Sequence, residues 1–138
     1  EEEDEGASAR GQLGGIPNTM RRSLREDWVC EAVLPKVHTR DIYSVAWSSK
    51  TGLVASTGSD GIIAIYKEDE GVPLEQADGE ESKRWKLIAR YDGSHGAYEV
   101  NHATWCKRYD AGAEENSEML VTTGDDGLVR TWAVSVEQ

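Results

Sequence analysis

Residues 28–66, WVCEAVLPKVHTRDIYSVAWSSKTGLVASTGSDGIIAIY, contain a pattern that returns later in the same chain. The second copy covers residues 85–105, WKLIARYDGSHGAYEVNHATW, and continues over residues 119–132, MLVTTGDDGLVRTW. His95 follows His38 by 57 residues, and the extra residues of the second copy are confined to the gap between its two parts. An insertion confined to one loop is what a repeat array tolerates, so the sequence predicts a repeat architecture.

Each copy divides into short segments rich in Val, Ile, Trp and Tyr that Pro, Gly, Asp or Ser separate, which is typical of β-strands. Residues 62–66, IIAIY, are apolar on both faces, as in strands packed between neighbouring sheets. Asp60-Gly61 and Asp126-Gly127 predict tight hairpin turns. No useful stretch has helical periodicity, so we predict an all-β chain. The eight predicted strands are Trp28–Leu34, Ile42–Trp47, Leu53–Thr57, Ile62–Tyr66, Trp85–Tyr91, Val100–Trp105, Met119–Thr123 and Leu128–Val134.

The landmarks of both copies resemble the WD-repeat signature, in which a His precedes the first inner strand and a Trp-Asp dipeptide ends the third. The resemblance implies a buried His–Ser/Thr–Asp–Trp network in each repeat. The matching residues are His38, Ser56, Asp60 and Tyr66 in the first copy and His95, Thr122, Asp126 and Trp132 in the second. Tyr66 stands where the signature has Trp, and Lys67 and Ala133 replace the final Asp of the dipeptide.

The fold that this resemblance implies is a WD-repeat β-propeller, here a partial propeller of about two blades whose last blade lacks its outer strand. We interpret residues 26–138 as this partial propeller, with insertions at 67–83 and 107–118, and residues 1–25 as an acidic, Gly-rich loop or disordered segment. We further interpret the chain as the C-terminal portion of a longer propeller. Its open blade faces and unpaired edge strand predict aggregation or partial disorder of the isolated chain.

A His–Ser–Asp set also invites a catalytic interpretation, since triads are recognised by geometry rather than by chain order. In this chain, however, the set recurs once per repeat, and no Gly-x-Ser-x-Gly elbow accompanies it. A recurring set is what a repeated structure requires and catalysis does not. No general acid–base pair, phosphate-binding loop or dinucleotide motif is present either, so we predict a protein that is not an enzyme.

The net charge of −11 is concentrated in loops and at the N-terminus. Residues 1–5, 68–81 and 110–118 carry 16 of the 26 acidic side chains and no Lys or Arg. The remainder is mildly basic, so we interpret the acidity as solvated loops rather than as a site for a basic partner. Lys and Arg do not cluster between aromatic residues, and no apolar run is long enough to cross a bilayer, so we predict neither a nucleic-acid nor a membrane partner.

The two cysteines, Cys30 and Cys106, are far apart and do not have zinc-site spacing, so we predict no metal site and no cofactor. No secretory signal is recognisable, and a reduced cytosolic or nuclear setting follows from this. In that setting we expect both thiols to be buried as small hydrophobic groups.

The stretches at 38–66, 93–105 and 119–132 are similar to the closing blades of the cytosolic iron–sulfur protein assembly WD-repeat family, most nearly its fungal members. That resemblance implies a non-catalytic scaffold of the cytosolic targeting complex, a seven-bladed propeller. It implies docking of a small acidic-loop subunit and a HEAT-repeat subunit, and help in delivering clusters to client apoproteins. The alternative is another WD-repeat adaptor, either a peptide or histone-tail reader or a ubiquitin-ligase substrate adaptor.

Propeller geometry brings the loops before the inner strands and the tight turns together on one face, where partners usually bind. Arg suits bidentate contact with a carboxylate, and exposed Tyr is common at interface hot spots. His102, within a predicted strand, is expected to be a hydrogen-bonded core residue. The candidate partner-binding residues are Arg40, Asp41, Ser59, Tyr98, Glu99 and Asp125.

Overall fold

The chain forms two antiparallel sheets in a computed structural model that describes residues 27–75 and 79–135. The first sheet has four strands in the order β1-β2-β3-β4, and the second has three in the order β5-β6-β7. Each sheet is therefore a meander in which consecutive strands pair. The prediction for residues 1–25 lies outside the described part. The strands are β1 (Ile42–Trp47), β2 (Val54–Gly58), β3 (Ile63–Glu68), β4 (Trp85–Tyr91), β5 (Val100–Lys107), β6 (Glu118–Gly124) and β7 (Val129–Ala133).

The predicted strand Trp28–Leu34 is wrong, because this segment has no strand structure. The segment is followed by Pro35, which has no N–H to donate to a strand ladder. The backbone groups of Val33 and Lys36 bond to the loop between β3 and β4 instead. The Ser82 N–H donates to the Val33 carbonyl at 2.7 Å, and the Lys36 N–H donates to the Glu81 carboxylate at 2.8 Å. The segment is therefore held by single contacts rather than by a ladder.

Three side chains expected to be buried are not. Cys30 is exposed because the strand predicted around it does not form, and Cys106 is only half-buried. His102 is exposed, and its Nδ1 lies 3.5 Å from the Ser44 hydroxyl. Side chains alternate between the two faces of a strand, so the neighbours of buried Ala103 point away from the core that Ala103 joins.

The two hairpin turns have the same geometry in both sheets. Gly61 donates its N–H to Gly58 at 3.2 Å, and Gly127 donates to Gly124 at 3.1 Å. Gly61 has a φ of 78° and Gly127 a φ of 81°, which is the left-handed region that favours glycine. The Asp-Gly dipeptides thus form the predicted turns.

The main core lies between the two sheets. Leu53, Ala55, Ile63 and Ile65 of the first sheet pack with Ala103 and Leu120 of the second, and Trp105, Trp132 and Val134 border them. Directed hydrogen bonds cross the same junction: among them, the Trp105 indole donates to the Ala46 carbonyl and the Ala103 N–H donates to the Ser44 hydroxyl, both at 3.1 Å. The sheets are consequently fixed face to face by apolar packing and by directed hydrogen bonds.

The loop between β3 and β4 is pinned by a few charged side chains. Arg84 forms an ion pair with Glu68 at 2.7 Å and also bonds to the Val72 carbonyl. Glu75 accepts from the Ser82 hydroxyl and from the backbone of Lys83. These bonds lower the pKa of Glu75, the Ser82 hydroxyl contributing most.

Candidate functional site

The first polar network joins the segment before β1 to β2, β3 and the hairpin turn. His38 Nδ1 lies 3.1 Å from Asp60 Oδ1, and His38 Nε2 lies 2.7 Å from the Ser56 hydroxyl. The Ser56 hydroxyl is in turn 3.2 Å from the Tyr66 hydroxyl. A carboxylate only accepts, so the bonds run in one direction from Tyr66 through Ser56 and His38 to Asp60. Tyr66 thus supplies a hydroxyl donor where the WD signature has an indole.

The second network repeats this arrangement with the full signature set. His95 Nδ1 lies 2.9 Å from Asp126 Oδ1, and His95 Nε2 lies 2.8 Å from the Thr122 hydroxyl. The Trp132 indole donates to Thr122 at 2.9 Å. His95 and Thr122 are completely buried, so the network lies in a low-dielectric interior where satisfied hydrogen bonds reinforce one another. The structure therefore brings together the four predicted residues of each network.

Both Asp carboxylates are held in their charged form. Burial alone would raise the pKa of Asp60, but hydrogen bonds from the Ile62 N–H, from His38 and from the Thr39 N–H together bring it below its usual value of 3.8. Burial likewise opposes ionisation of Asp126, and bonds from His95 and the Leu128 N–H lower the pKa of Asp126. The Ile62 and Leu128 N–H groups follow directly on the hairpin turns, whereas the Thr39 N–H belongs to the segment before β1, so the Asp60 carboxylate ties its turn to that segment.

The two networks make the stability of the folded chain depend on pH. Because both folded pKa values lie below the unfolded one, their contribution is complete above about pH 3.8 and is lost as pH falls through the folded values. We expect the urea midpoint of the chain to decline as pH drops below about 4, and to decline less steeply in the double variant Asp60→Asn, Asp126→Asn.

A matched control for this acid titration is the double variant Asp92→Asn, Asp110→Asn. Bonds from Arg90 and Arg108 lower the pKa values of these two exposed carboxylates, but solvent screens such pairs. Its pH profile should therefore stay close to that of the unmodified chain. Parallel pH profiles for the unmodified chain and the Asp60→Asn, Asp126→Asn variant would contradict the attribution of the acid-dependent stability to these two carboxylates.

The geometry of the networks does not suit attack on a substrate. The Ser56 and Thr122 hydroxyls are buried, and each already bonds to a His and to an aromatic donor. A nucleophile needs an accessible position beside its base. Within residues 27–75 and 79–135, no three His, Cys, Asp or Glu side chains are grouped to hold a metal ion. In that same part of the chain, no helix has the length and apolar character to cross a membrane.

The six candidate partner-binding residues gather at the end of the sheets where β1 and β5 begin, and we name them the turn surface. The Ser59 N–H donates to the Asp41 carbonyl at 2.9 Å, and the Asp125 N–H donates to the Glu99 carbonyl at 3.0 Å. Each turn is thereby fixed to the residue that precedes the inner strand of its own sheet. Tyr98 is 55% exposed, so its ring is available at this surface. Arg40, Asp41 and Asp125 are also exposed, and Ser59 and Glu99 are half-buried.

Two residues missed at the sequence level connect the turn surface across the sheets. Tyr43 lies close to Glu99 and Ser59, and desolvation followed by the charge of Glu99 raises the pKa of Tyr43. Ser94 is buried, and its hydroxyl donates to the Gly61 carbonyl at 2.9 Å. No spacing within one repeat places Tyr43 beside Glu99, so the sequence alone gives no signal for this pair.

Comparison with known proteins identifies the class of fold. Residues 28–67 match the family described as WD domain, G-beta repeat. This stretch of the chain is similar to the WD repeat, and the two antiparallel sheets confirm the predicted all-β, partial propeller.

Particular relatives resemble the chain along most of its length. It is 59% identical over 137 residues to the probable cytosolic iron-sulfur protein assembly protein 1 of Chaetomium globosum, covering 90% of this chain and 30% of the relative. The proteins of the same name in Neurospora crassa and Aspergillus terreus are 54% and 44% identical, covering 89% and 87% of this chain and 29% and 31% of the relatives. The predicted similarity to fungal members is confirmed, and the chain spans about 30% of the length of these relatives.

Proposed function

We propose that this chain contributes to a non-catalytic scaffold of the cytosolic iron–sulfur cluster targeting machinery. The observation that supports this most is the 59% identity to a relative named for cytosolic iron–sulfur protein assembly, extending over 90% of the chain. The buried polar networks agree with a scaffold role, because they hold turns in place and leave no accessible nucleophile among their hydroxyls.

The proposed partners are proteins: the small acidic-loop subunit, the HEAT-repeat subunit and client apoproteins of the targeting complex. We propose a cytoplasmic location, with a nuclear pool as well. The turn surface is the proposed docking site, since rigid backbone bonds present an exposed Tyr98 beside charged side chains. Pre-organised surfaces lose less entropy on binding, and aromatic and Arg residues contribute most of the energy at such sites.

Capture of purified subunits by the immobilised 138-residue chain tests this proposal. We expect the chain to retain the HEAT-repeat or acidic-loop subunit, but not histone-tail peptides or ubiquitin-ligase components. Loss of an interfacial aromatic residue or Arg commonly costs about tenfold or more in affinity. Tyr98→Ala and Arg40→Ala should therefore each weaken capture to about that extent, as measured by titration of the subunit.

Tyr109→Ala is the matched control for this titration. Tyr109 is 83% exposed but follows the far end of β5, whereas Tyr98 precedes its beginning. The control should bind like the unmodified chain. Equal weakening by Tyr109→Ala would contradict the turn surface as the docking site, and retention of histone tails in place of the subunits would contradict the proposed function.

A further inference from the structure

A groove lies beside the loop between β3 and β4, and we name it the loop groove. It is at the end of the first sheet opposite the turn surface, because β3 ends and β4 begins there. Its volume is about 520 Å³, and its walls come from β3, from β4 and from the loop that joins them. The strand side includes Lys67, Lys86 and Ile88, and the loop side includes Asp69, Glu70 and Gly71.

The strand side of the loop groove is positively charged. Lys67 of β3 pairs directly with Lys86 of β4, and both side chains are exposed. Like charges at directly opposite positions of an antiparallel pair destabilise a sheet. Lys on an edge strand discourages pairing with other chains, which accounts for Lys86 in β4 but not for Lys67 in the strand beside it. The sheet itself therefore gives no reason for two adjacent ammonium groups.

The loop side is negatively charged. Asp69 and Glu70 are exposed, and the Asp69 carboxylate accepts the Gly71 N–H at 2.9 Å. In the described part of the chain, neither of these carboxylates forms an ion pair, and neither does the ammonium group of Lys67 or Lys86. Charges of both signs thus face the same groove without joining each other.

Hydrogen bonds within the loop keep its carboxylates apart from the two lysines. The Asp69 N–H donates to the Arg84 carbonyl at 2.7 Å, and the Val72 N–H donates to the Asp69 carbonyl at 3.1 Å. The Arg84 side chain pairs with Glu68 and bonds to the Val72 carbonyl. The backbone that carries Asp69 and Glu70 is thereby fixed. A site that is fixed before binding loses less entropy when its ligand arrives.

We propose that the loop groove binds an extended segment of a protein partner in which acidic and basic residues alternate. Neighbouring side chains of an extended chain point to opposite sides, so such a segment presents one sign of charge to each wall. Its acidic side chains face Lys67 and Lys86. Its basic side chains face Asp69 and Glu70, so the segment matches the groove in sign on both sides. Ile88, which is 37% exposed, offers the segment an apolar contact.

Nuclear magnetic resonance titration of the full 138-residue chain with short peptides tests the proposal. The probe is a peptide with blocked termini in which Glu and Lys alternate, and the comparison peptide has Gln at every position. Neither peptide has a net charge, so the net charge of −11 attracts neither of them as a whole. The alternating peptide should shift the amide signals of Gly71, Lys86 and Ile88, and should bind about threefold or more tightly than the Gln peptide.

Single substitutions on the two sides of the groove separate the two contacts. Lys86→Gln and Glu70→Gln should each raise the dissociation constant of the alternating peptide about threefold, as for loss of an exposed ion pair. Lys86→Gln also relieves the repulsion from Lys67, so weaker binding by this variant does not come from a loss of stability. Circular dichroism checks that both variants stay folded.

Lys50→Gln and Glu114→Gln are the matched controls. Both residues are exposed and lie in loops at the same end of the sheets, but neither lines the loop groove. Each control removes the same charge as its counterpart and should leave the dissociation constant unchanged.

Equal binding of the alternating and Gln peptides would overturn the proposal, as would shifted signals that lie outside the loop groove. A change confined to only one of Lys86→Gln and Glu70→Gln would also overturn it, because the groove would then read one sign of charge. The titration contains no iron–sulfur assembly subunit and leaves the turn surface intact, so the proposed function keeps its own capture experiment.

Discussion

Replacing Gly124 by alanine is expected to lower the free energy of unfolding by about 3 kcal/mol, the upper part of the range for overpacked interiors. A Cβ at this position would lie 2.7 Å from the Glu99 carbonyl oxygen, 2.7 Å from His95 Nδ1 and 2.8 Å from His95 Cγ. Neither neighbour yields easily, because Glu99 O accepts the Asp125 N–H and His95 is fully buried in its network. The methyl group therefore displaces both the turn and the network.

Gly58 has the corresponding place in the first sheet, where an added Cβ would collide with the Asp41 carbonyl oxygen. Gly58→Ala should consequently show a loss of similar size. Gly112→Ala is the control, since its nearest atom would be 3.5 Å away, an ordinary contact. Urea unfolding followed by Trp fluorescence measures all three variants. Stability of Gly124→Ala within about 0.5 kcal/mol of the unmodified chain, as for an ordinary surface change, would contradict the argument.

The repeat spacing predicted the fold because each strand is determined mostly by local alternation and turn chemistry. β1 and β4 begin and end at the predicted residues, and the other five strands differ at their ends by one or two. Such differences arise because ladders extend as far as a partner strand continues, and the sequence of one strand does not contain that information. β5, for example, continues to Lys107 because Glu118 pairs with it.

The predicted segment Trp28–Leu34 failed for a related reason. Its composition is strand-like, but a strand forms only beside a partner, and among the described residues the backbone of this segment meets the loop at Glu81 and Ser82. Burial of Cys30 depended on the same partner and failed with it. Tertiary context here overrides local propensity.

The polar networks were predictable and the connection between the sheets was not. His95 and Thr122 have the places in the second copy that His38 and Ser56 have in the first, and the resemblance to the WD signature implies their contacts. Tyr43 contacts Glu99 of the other sheet, and this pair depends on how two sheets are placed against each other. No spacing within one repeat specifies that placement.

His95→Ala is expected to cost about 3 kcal/mol of unfolding free energy, a size typical of leaving buried polar groups unpaired and opening a cavity. His95 is completely buried and connects Thr122 to Asp126 at 2.8 and 2.9 Å. Its loss leaves the buried Thr122 hydroxyl without the acceptor to which it donates and removes the link between β6 and the turn. The Trp132 indole bonds to the same hydroxyl, so the near-ultraviolet dichroism should change as well.

His102→Ala is the matched control for this variant. His102 lies in β5, seven residues further along the chain, but it is exposed, and its Nδ1 is 3.5 Å from the Ser44 hydroxyl. Its replacement should change stability by no more than about 0.5 kcal/mol, as for surface substitutions in general. A loss of stability confined to His95→Ala would show that the His of the WD signature has a structural role, namely to hold the turn against the sheet. Equal losses in both variants would instead mean that β5 and the segment before it tolerate no change, and the network would have no special part in holding the turn.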